Sequence, residues 1–361
     1  MLIYIAVFCI SIIATYNAQR CNIKNVTFIV NSCFAIIPLV ILAAYRDSHI
    51  GTDTSNYIFL FEDAVANNDN ILYYILSNPS FEIGFLAYNF CVAQITTSIV
   101  TYYIITYGII IGLAYISAIK LKKYISPHIF ILIYLFLFFS DSLNVMRQYI
   151  SVSCVLFAIS NLLTKKYKQY FLLTIIAVFV HTSAIISLVI GLMFFLTKKY
   201  PVNSHKSLYI LTCFIILAIA MNIDYFANIG LLPTFEDKLN NYLTDSTAGG
   251  LSNSHIAVCL CTLLFLLSTK EKDSTLDMML LITCFTMIFY MSPSMNTTLY
   301  RLTIYFNVIT CFSVSYVHKK TLKYSSKLIL LLAIYIFFYF FSTVLAGTNS
   351  VIPYSSTLLG I

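Results

Sequence analysis

Apolar runs recur from one end of the chain to the other. Met1–Ala14, Val26–Ala44, Ile129–Phe139 and Leu328–Ala346 are four of them. Such runs approach the ~20 residues a helix needs to cross a bilayer. Polar residues gather in the short gaps between runs. The pattern predicts spans at about 1–16, 26–45, 100–119, 125–140, 144–163, 170–181, 182–197, 208–223, 255–269, 275–291, 299–317 and 327–346. The fold class read from this is all-α: a polytopic helical membrane protein of about twelve spans, with residues 1–361 forming a single integral-membrane domain. Two longer polar stretches, about 46–82 and 224–254, read as loops. The first run has no basic residue before it and no small-residue cleavage box after it, so it reads as a retained helix and not a signal peptide.

Composition agrees with the pattern. Hydrophobic residues make up 60% of the chain and charged ones 10%, against roughly 25% charged in soluble domains. With no Trp, the 28 Tyr are expected to supply the interfacial aromatic belt. Most of the Cys lie inside apolar runs with no paired spacing, so neither disulfides nor a metal site is expected. No P-loop or zinc spacing stands out, and no cofactor is expected.

The net charge of +7 raises the question of nucleic acid, but its distribution answers otherwise. Basic clusters fall in short connections: Arg20/Lys24, Lys120/Lys122/Lys123, Lys165/Lys166/Lys168, Lys198/Lys199/Lys206, Lys270/Lys272 and Lys319/Lys320/Lys323/Lys327. These account for 17 of the 21 Lys and Arg, and the positive-inside rule puts them on the cytoplasmic side. Eleven of the 14 acids fall on the opposite side, with both long loops and both termini.

Two places break the simple count. Between Phe81 and Lys120 charge parity permits one crossing where the length allows two, so Glu82–Ile95 reads as a helix lying on or dipping into the outer face. Between Lys168 and Lys198 both ends must be inside, yet the stretch is too short for two full spans at 1.5 Å per residue. It reads as two short helices whose tip, near His181, lies below the outer surface in a protein-lined or watery cavity.

Candidate chemistry gathers at the outer boundary. Of the four Arg, only Arg20 is cytoplasmic; Arg46, Arg147 and Arg301 each fall at the outer end of a helix. A planar fork of donors matches phosphate oxygens, so three converging Arg would suit a lipid-linked pyrophosphate. The plainer reading is that each snorkels to headgroups or pairs with Asp47 or Asp141. In the first outer loop Asp53 could take a proton from a sugar hydroxyl, or Asp53 or Thr54 could simply cap a short helix. Glu82 has the same two readings. His181, inside a membrane segment, could donate to a phosphate, shuttle a proton, or make a helix–helix hydrogen bond. The other five His show no partner pattern and read as interfacial.

The ordered set Tyr45-Arg46…Gly51-Thr52-Asp53-Thr54…Tyr57, Glu82-Ile83-Gly84-Phe85, Met146-Arg147-Gln148, His181-Thr182-Ser183-Ala184 and Arg301…Tyr305-Phe306 resembles the EpsG-like family of Wzy-type O-antigen and exopolysaccharide polymerases. Ile352-Pro353-Tyr354 is similar too, so the resemblance covers nearly the whole chain; Pro often precedes the Gly of Glu82-Ile83-Gly84 in relatives. The resemblance implies a GT-C-like, metal-independent glycosyltransferase of the bacterial inner membrane, working on the periplasmic face. It would transfer a growing glycan from undecaprenyl pyrophosphate to the next lipid-linked repeat unit, with a chain-length regulator and a flippase as partners. Asp53, Glu82 and His181 would be catalytic, Arg46, Arg147 and Arg301 would bind pyrophosphate, and Gly51, Thr52, Tyr57, Gln148 and Tyr305 would bind substrate. The rivals are a lipid-linked oligosaccharide flippase or transporter, an O-antigen ligase and a polysaccharide acyltransferase. A transporter is disfavoured because no internal repeat is visible and the polar candidates cluster at one face; the acyltransferase lacks an obvious donor site.

Overall fold

A chain that must satisfy its backbone hydrogen bonds in hydrocarbon does so within helices, and every regular element among the described residues is helical. The computed structural model describes residues 1–202, 204–221, 249–269, 273–291, 297–321 and 325–360. Among the described residues six segments are long and apolar enough to cross a membrane: Leu2–Arg20, Val26–Ala44, Ile99–Lys120, Met146–Leu163, Thr182–Lys199 and Ser326–Leu345. Shorter apolar helices fill the expected positions between them. The expected loop 224–254 lies almost wholly outside the described residues.

The chain divides into two compact units, Met1–Ile185 with Tyr339–Ile361, and Ile186–Phe338. The first contains α1 (Leu2–Arg20), α2 (Val26–Ala44), α3 (Thr54–Ala66), α4 (Ile71–Ser77), α5 (Ile83–Ala93), α6 (Ile99–Lys120), α7 (Pro127–Leu137), α8 (Phe139–Asn144), α9 (Met146–Leu163) and α10 (Tyr167–Val180). Helix α9 is its centre, packed by α6, α8 and α10. It is the most buried of the six long helices and the least apolar. It can be less apolar because it faces protein, and its small polar residues let neighbours approach: Ser151 Oγ donates to the Ala177 carbonyl of α10 at 2.8 Å. Helices α1 and α2 instead present Ile10, Ile13, Phe34 and Ile37 outward, as a lipid-facing layer does.

The second unit holds α11 (Ser187–Lys199), α12 (Lys206–Met221), α13 (Gly249–Leu267), α14 (Ser274–Tyr290), α15 (Thr297–Asn307), α16 (Ile309–Thr321) and most of α17 (Ser326–Phe340). Helix α14 is its centre and touches α11, α12, α13, α15 and α16. Asp273 caps it through the N–H groups of Thr275 and Leu276 and pairs with Lys320 at 2.6 Å, which clasps α16 to its start.

Five expectations need correction. Residues 46–82 are not an open loop, because α3 and α4 occupy most of the stretch. The expected span 125–140 is divided at Phe138, whose φ of −128° ends α7, and 299–317 is divided between α15 and α16. The Tyr residues are not chiefly an interfacial belt: Tyr4, Tyr74, Tyr102, Tyr107, Tyr134, Tyr149, Tyr170, Tyr290, Tyr305 and Tyr335 are fully buried. A hydroxyl can be buried when it finds a partner, as Tyr107 does on the Ser142 carbonyl and Tyr102 on Asn89 Oδ1. Nor are the remaining His merely interfacial. His128 bonds Gln19, and His255 sits among the rings of Tyr290, Tyr300 and Phe338.

Candidate functional site

The first unit segregates charge along its helices. At one end Lys122 Nζ donates to the Cys21 carbonyl at 2.9 Å and Lys120 Nζ to Asn161 Oδ1 at 2.5 Å. The α1–α2 and α6–α7 connections thus meet the end of α9. The Gly51 turn and the starts of α5 and α9 lie at the other end, and there Asp47, Asp53, Glu82 and Asp141 gather.

The turn after α2 is built around Gly51 and Arg46. Gly51 has φ +89°, and a Cβ there would stand 2.6 Å from the Leu143 carbonyl oxygen and 2.7 Å from Thr54 Oγ1. Only glycine fits, by conformation and by space. Arg46 is 5% exposed. Its guanidinium donates to the carbonyls of Ala43, Ile50 and Leu143 and lies over the rings of Tyr103 and Tyr107 at 4.5 and 4.9 Å. It therefore closes the end of α2 and holds the turn; it does not present its fork to a ligand. Beyond Gly51, Thr52 Oγ1 and the Asp53 N–H both donate to Asn144 Oδ1, at 2.8 and 2.9 Å. Asp53 occupies the N-cap position of α3 without a side-chain cap bond, its backbone being helical there (φ −92°, ψ −1°) and not in the extended form that aims a capping side chain at the helix N–H groups. Its half-exposed carboxylate makes no side-chain hydrogen bond among the described residues.

A second group forms where α5, α9 and α10 meet. Arg147 Nη1 donates to Glu82 Oε2 at 2.7 Å, with the two side chains 14% and 10% exposed. Glu82 Oε1 accepts from the Thr182 N–H and Oγ1, both at 3.3 Å. Glu82 stands at the N-cap position of α5 but makes no side-chain cap bond. Burial pushes the Glu82 carboxyl up, but the Arg147 guanidinium and His181, with backbone donors, outweigh it and hold the group below its ordinary value. Phe81 lies under the guanidinium at 5.0 Å. His181 is 5% exposed and ends α10 in extended conformation; a 3₁₀ turn, Thr182–Ile186, follows, so the helix breaks where expected. Gly84 makes the meeting possible: a Cβ there would stand 2.5 Å from the Phe179 carbonyl.

The two groups are neighbours. Helix α3 packs on α5, with Tyr57 against Phe85 at 5.9 Å, one turn into each helix. Asn144, which holds Thr52 and Asp53, is three residues before Arg147. Gln148 is buried at the start of α9. Arg301 and Tyr305 lie one turn apart on α15 of the second unit, Tyr305 fully buried and Arg301 half-buried. Sequence reasoning missed Asn144; a polar Asp-Ser-Leu-Asn run at 141–144 between apolar segments was the available signal.

Chemically, the site offers an Arg fork of which one donor is engaged by Glu82 among the described residues, and a carboxylate at Asp53 open to an acceptor hydroxyl. The profile of the EpsG family matches residues 29–356, most of the chain. No curated protein and no solved structure matches it.

Proposed function

Because the chain belongs to the EpsG family, a Wzy-like polymerase family, we propose that it polymerises lipid-linked oligosaccharide repeat units of an O-antigen or related surface polysaccharide. It moves the growing glycan from undecaprenyl pyrophosphate to the next lipid-linked repeat, as a GT-C-like protein of about twelve spans in the bacterial inner membrane, with the site toward the periplasm. A flippase would supply its substrate and a chain-length regulator would act beside it. The Arg147–Glu82 pair is the observation that carries this reading: a guanidinium held in one plane at a helix start, with donors left for an anion.

Asp53 takes the proton of the acceptor hydroxyl. That oxygen attacks the anomeric carbon, and the bond to the pyrophosphate oxygen breaks. Arg147 stabilises the charge that collects on the leaving group, usually the largest contribution a protein makes to such a step. Glu82 is a poor base, because its carboxyl is held low by Arg147; its role is to orient the fork. His181, beside Glu82, meets the phosphate end of the carrier. Gly51, Thr52, Tyr57 and Gln148 shape the substrate site.

Deletion of the gene, read on a polysaccharide gel, tests the function. Loss of a polymerase leaves a single repeat on the core. Complete absence of repeats would assign the chain to a flippase or ligase instead.

A further inference from the structure

A chain of polar side chains joins the C-terminal segment to the turn that carries Asp53. Asn349 Nδ2 donates to Asp141 Oδ1 at 2.7 Å. Asn144 Nδ2 donates to Asn349 Oδ1 at 2.9 Å. Asn144 Oδ1 in turn accepts from Thr52 Oγ1 and from the Asp53 N–H. Both ends of this chain fix its direction. An ionised Asp141 only accepts, so Asn349 must turn its NH₂ toward it and its oxygen toward Asn144. A backbone N–H only donates, so Asn144 must offer its oxygen to Asp53. Neither amide can flip without placing two donors or two acceptors face to face. Asn349 suits its place doubly, since its φ of +63° is left-handed and Asn tolerates that region better than other side chains.

Further bonds hold the segment to the same turn. The Asp47 N–H donates to the Ser355 carbonyl, and Asp47 Oδ1 accepts from the Thr357 N–H at 2.9 Å. Ser355 Oγ pairs with His49 Nε2 at 3.1 Å. The segment is thus joined to the turn on both sides of Gly51.

We propose that Asn144 and Asn349 are positioning residues: through a hydrogen-bond relay anchored on Asp141, the C-terminal segment sets the direction in which Asp53 meets the acceptor sugar. This rests on the reading of Asp53 as the base.

The test uses the full-length protein. Asn349→Gly keeps the left-handed backbone and removes the amide. Asn349→Asp sets two carboxylates face to face. Asp141→Asn combined with Asn349→Asp restores a donor–acceptor pair while Asn144 keeps its orientation. Two quantities are read: hydrogen exchange over residues 50–57 in nanodiscs, and the ratio of polymer to single repeat in cells at equal protein level. Asn349→Gly and Asn349→Asp should speed exchange over 50–57 and cut polymer about tenfold, as expected for one to two lost hydrogen bonds at a reacting group. The double variant should recover both. Unchanged exchange in the two single variants, or no recovery in the double one, overturns the relay. Faster exchange with normal polymer overturns the positioning role. Asp53→Asn is run alongside: if it polymerises normally, the base assignment falls, while the exchange data still decide whether the relay exists.

Discussion

Removing one partner of the Arg147–Glu82 pair strands the other in a site where the two side chains are only 14% and 10% exposed. Truncating a pair so buried costs about 3 kcal/mol, because the remaining charge keeps its desolvation penalty without its partner. Arg147→Lys is the more telling change. It keeps the charge, but a point-like ammonium cannot bridge Glu82 and an anion in one plane. We expect at least ~10-fold less polymer from Arg147→Lys at normal protein level; full-length polymer would remove Arg147 from the leaving-group site. The pair also sets a pH dependence. The Glu82 carboxyl is lowered in the folded protein, so its contribution is fully present above the ordinary Glu value of about 4.3. It is lost as pH falls through the lower folded value. Thermal unfolding in detergent should therefore show no Glu82-dependent change between about pH 5 and 8 and a loss of stability in more acid buffer. Glu82→Gln should lower the plateau and abolish that acid limb. A limb centred near neutrality would mean that another group governs the site.

Helix packing decides whether these groups meet at all. Gly84 lets α5 approach α10, and a methyl group there would meet the Phe179 carbonyl, which is backbone and cannot rotate away. Gly84→Ala should thus cost about 1–3 kcal/mol in unfolding measurements. It should also cut polymer more than Ile83→Ala on the exposed neighbouring face, because it parts Glu82 from Thr182. Equal effects would mean that the close approach is incidental. At this scale the sequence was legible where hydrophobic period and charge both spoke. The starts of α2, α6 and α9, the presence of a short helix after Glu82 and the break at His181 all follow from run lengths between basic clusters. It was opaque where tertiary partners decide. Asp53 looks like a cap, yet its backbone is helical at that position and its side chain makes no cap bond. Arg46 looks like an anion clamp, yet three carbonyls occupy it. Hydropathy could not end α7 at Leu137, since Phe138 and Phe139 continue its apolar run. Nor could Asn349 be linked to Asn144, since nothing local ties residues more than 200 apart.

For the molecule in its membrane, two independent constraints fix which parts share a side. The first is hydrogen bonding: the Thr357 N–H donates to Asp47 Oδ1, and Tyr354 OH donates to the Leu42 carbonyl at 3.1 Å, so the C-terminal segment and the turn after α2 lie on one side whatever the orientation. The second is charge. Lys122 reaches the Cys21 carbonyl and Lys120 reaches Asn161 at the opposite end of the same helices, and basic connections stay cytoplasmic. Together they require reporters after residues 52 and 360 to read periplasmic, and reporters after residues 24 and 122 to read cytoplasmic. The pair 52 and 360 tests the fold, since opposite sides for these two positions would break the contact between them. The pair 52 and 122 tests the charge argument, since α6 crosses between them. If 52 and 360 agree but both read cytoplasmic, the fold survives and the proposed function does not. A lipid-linked repeat polymerised outside would then never meet Asp53 or Arg147.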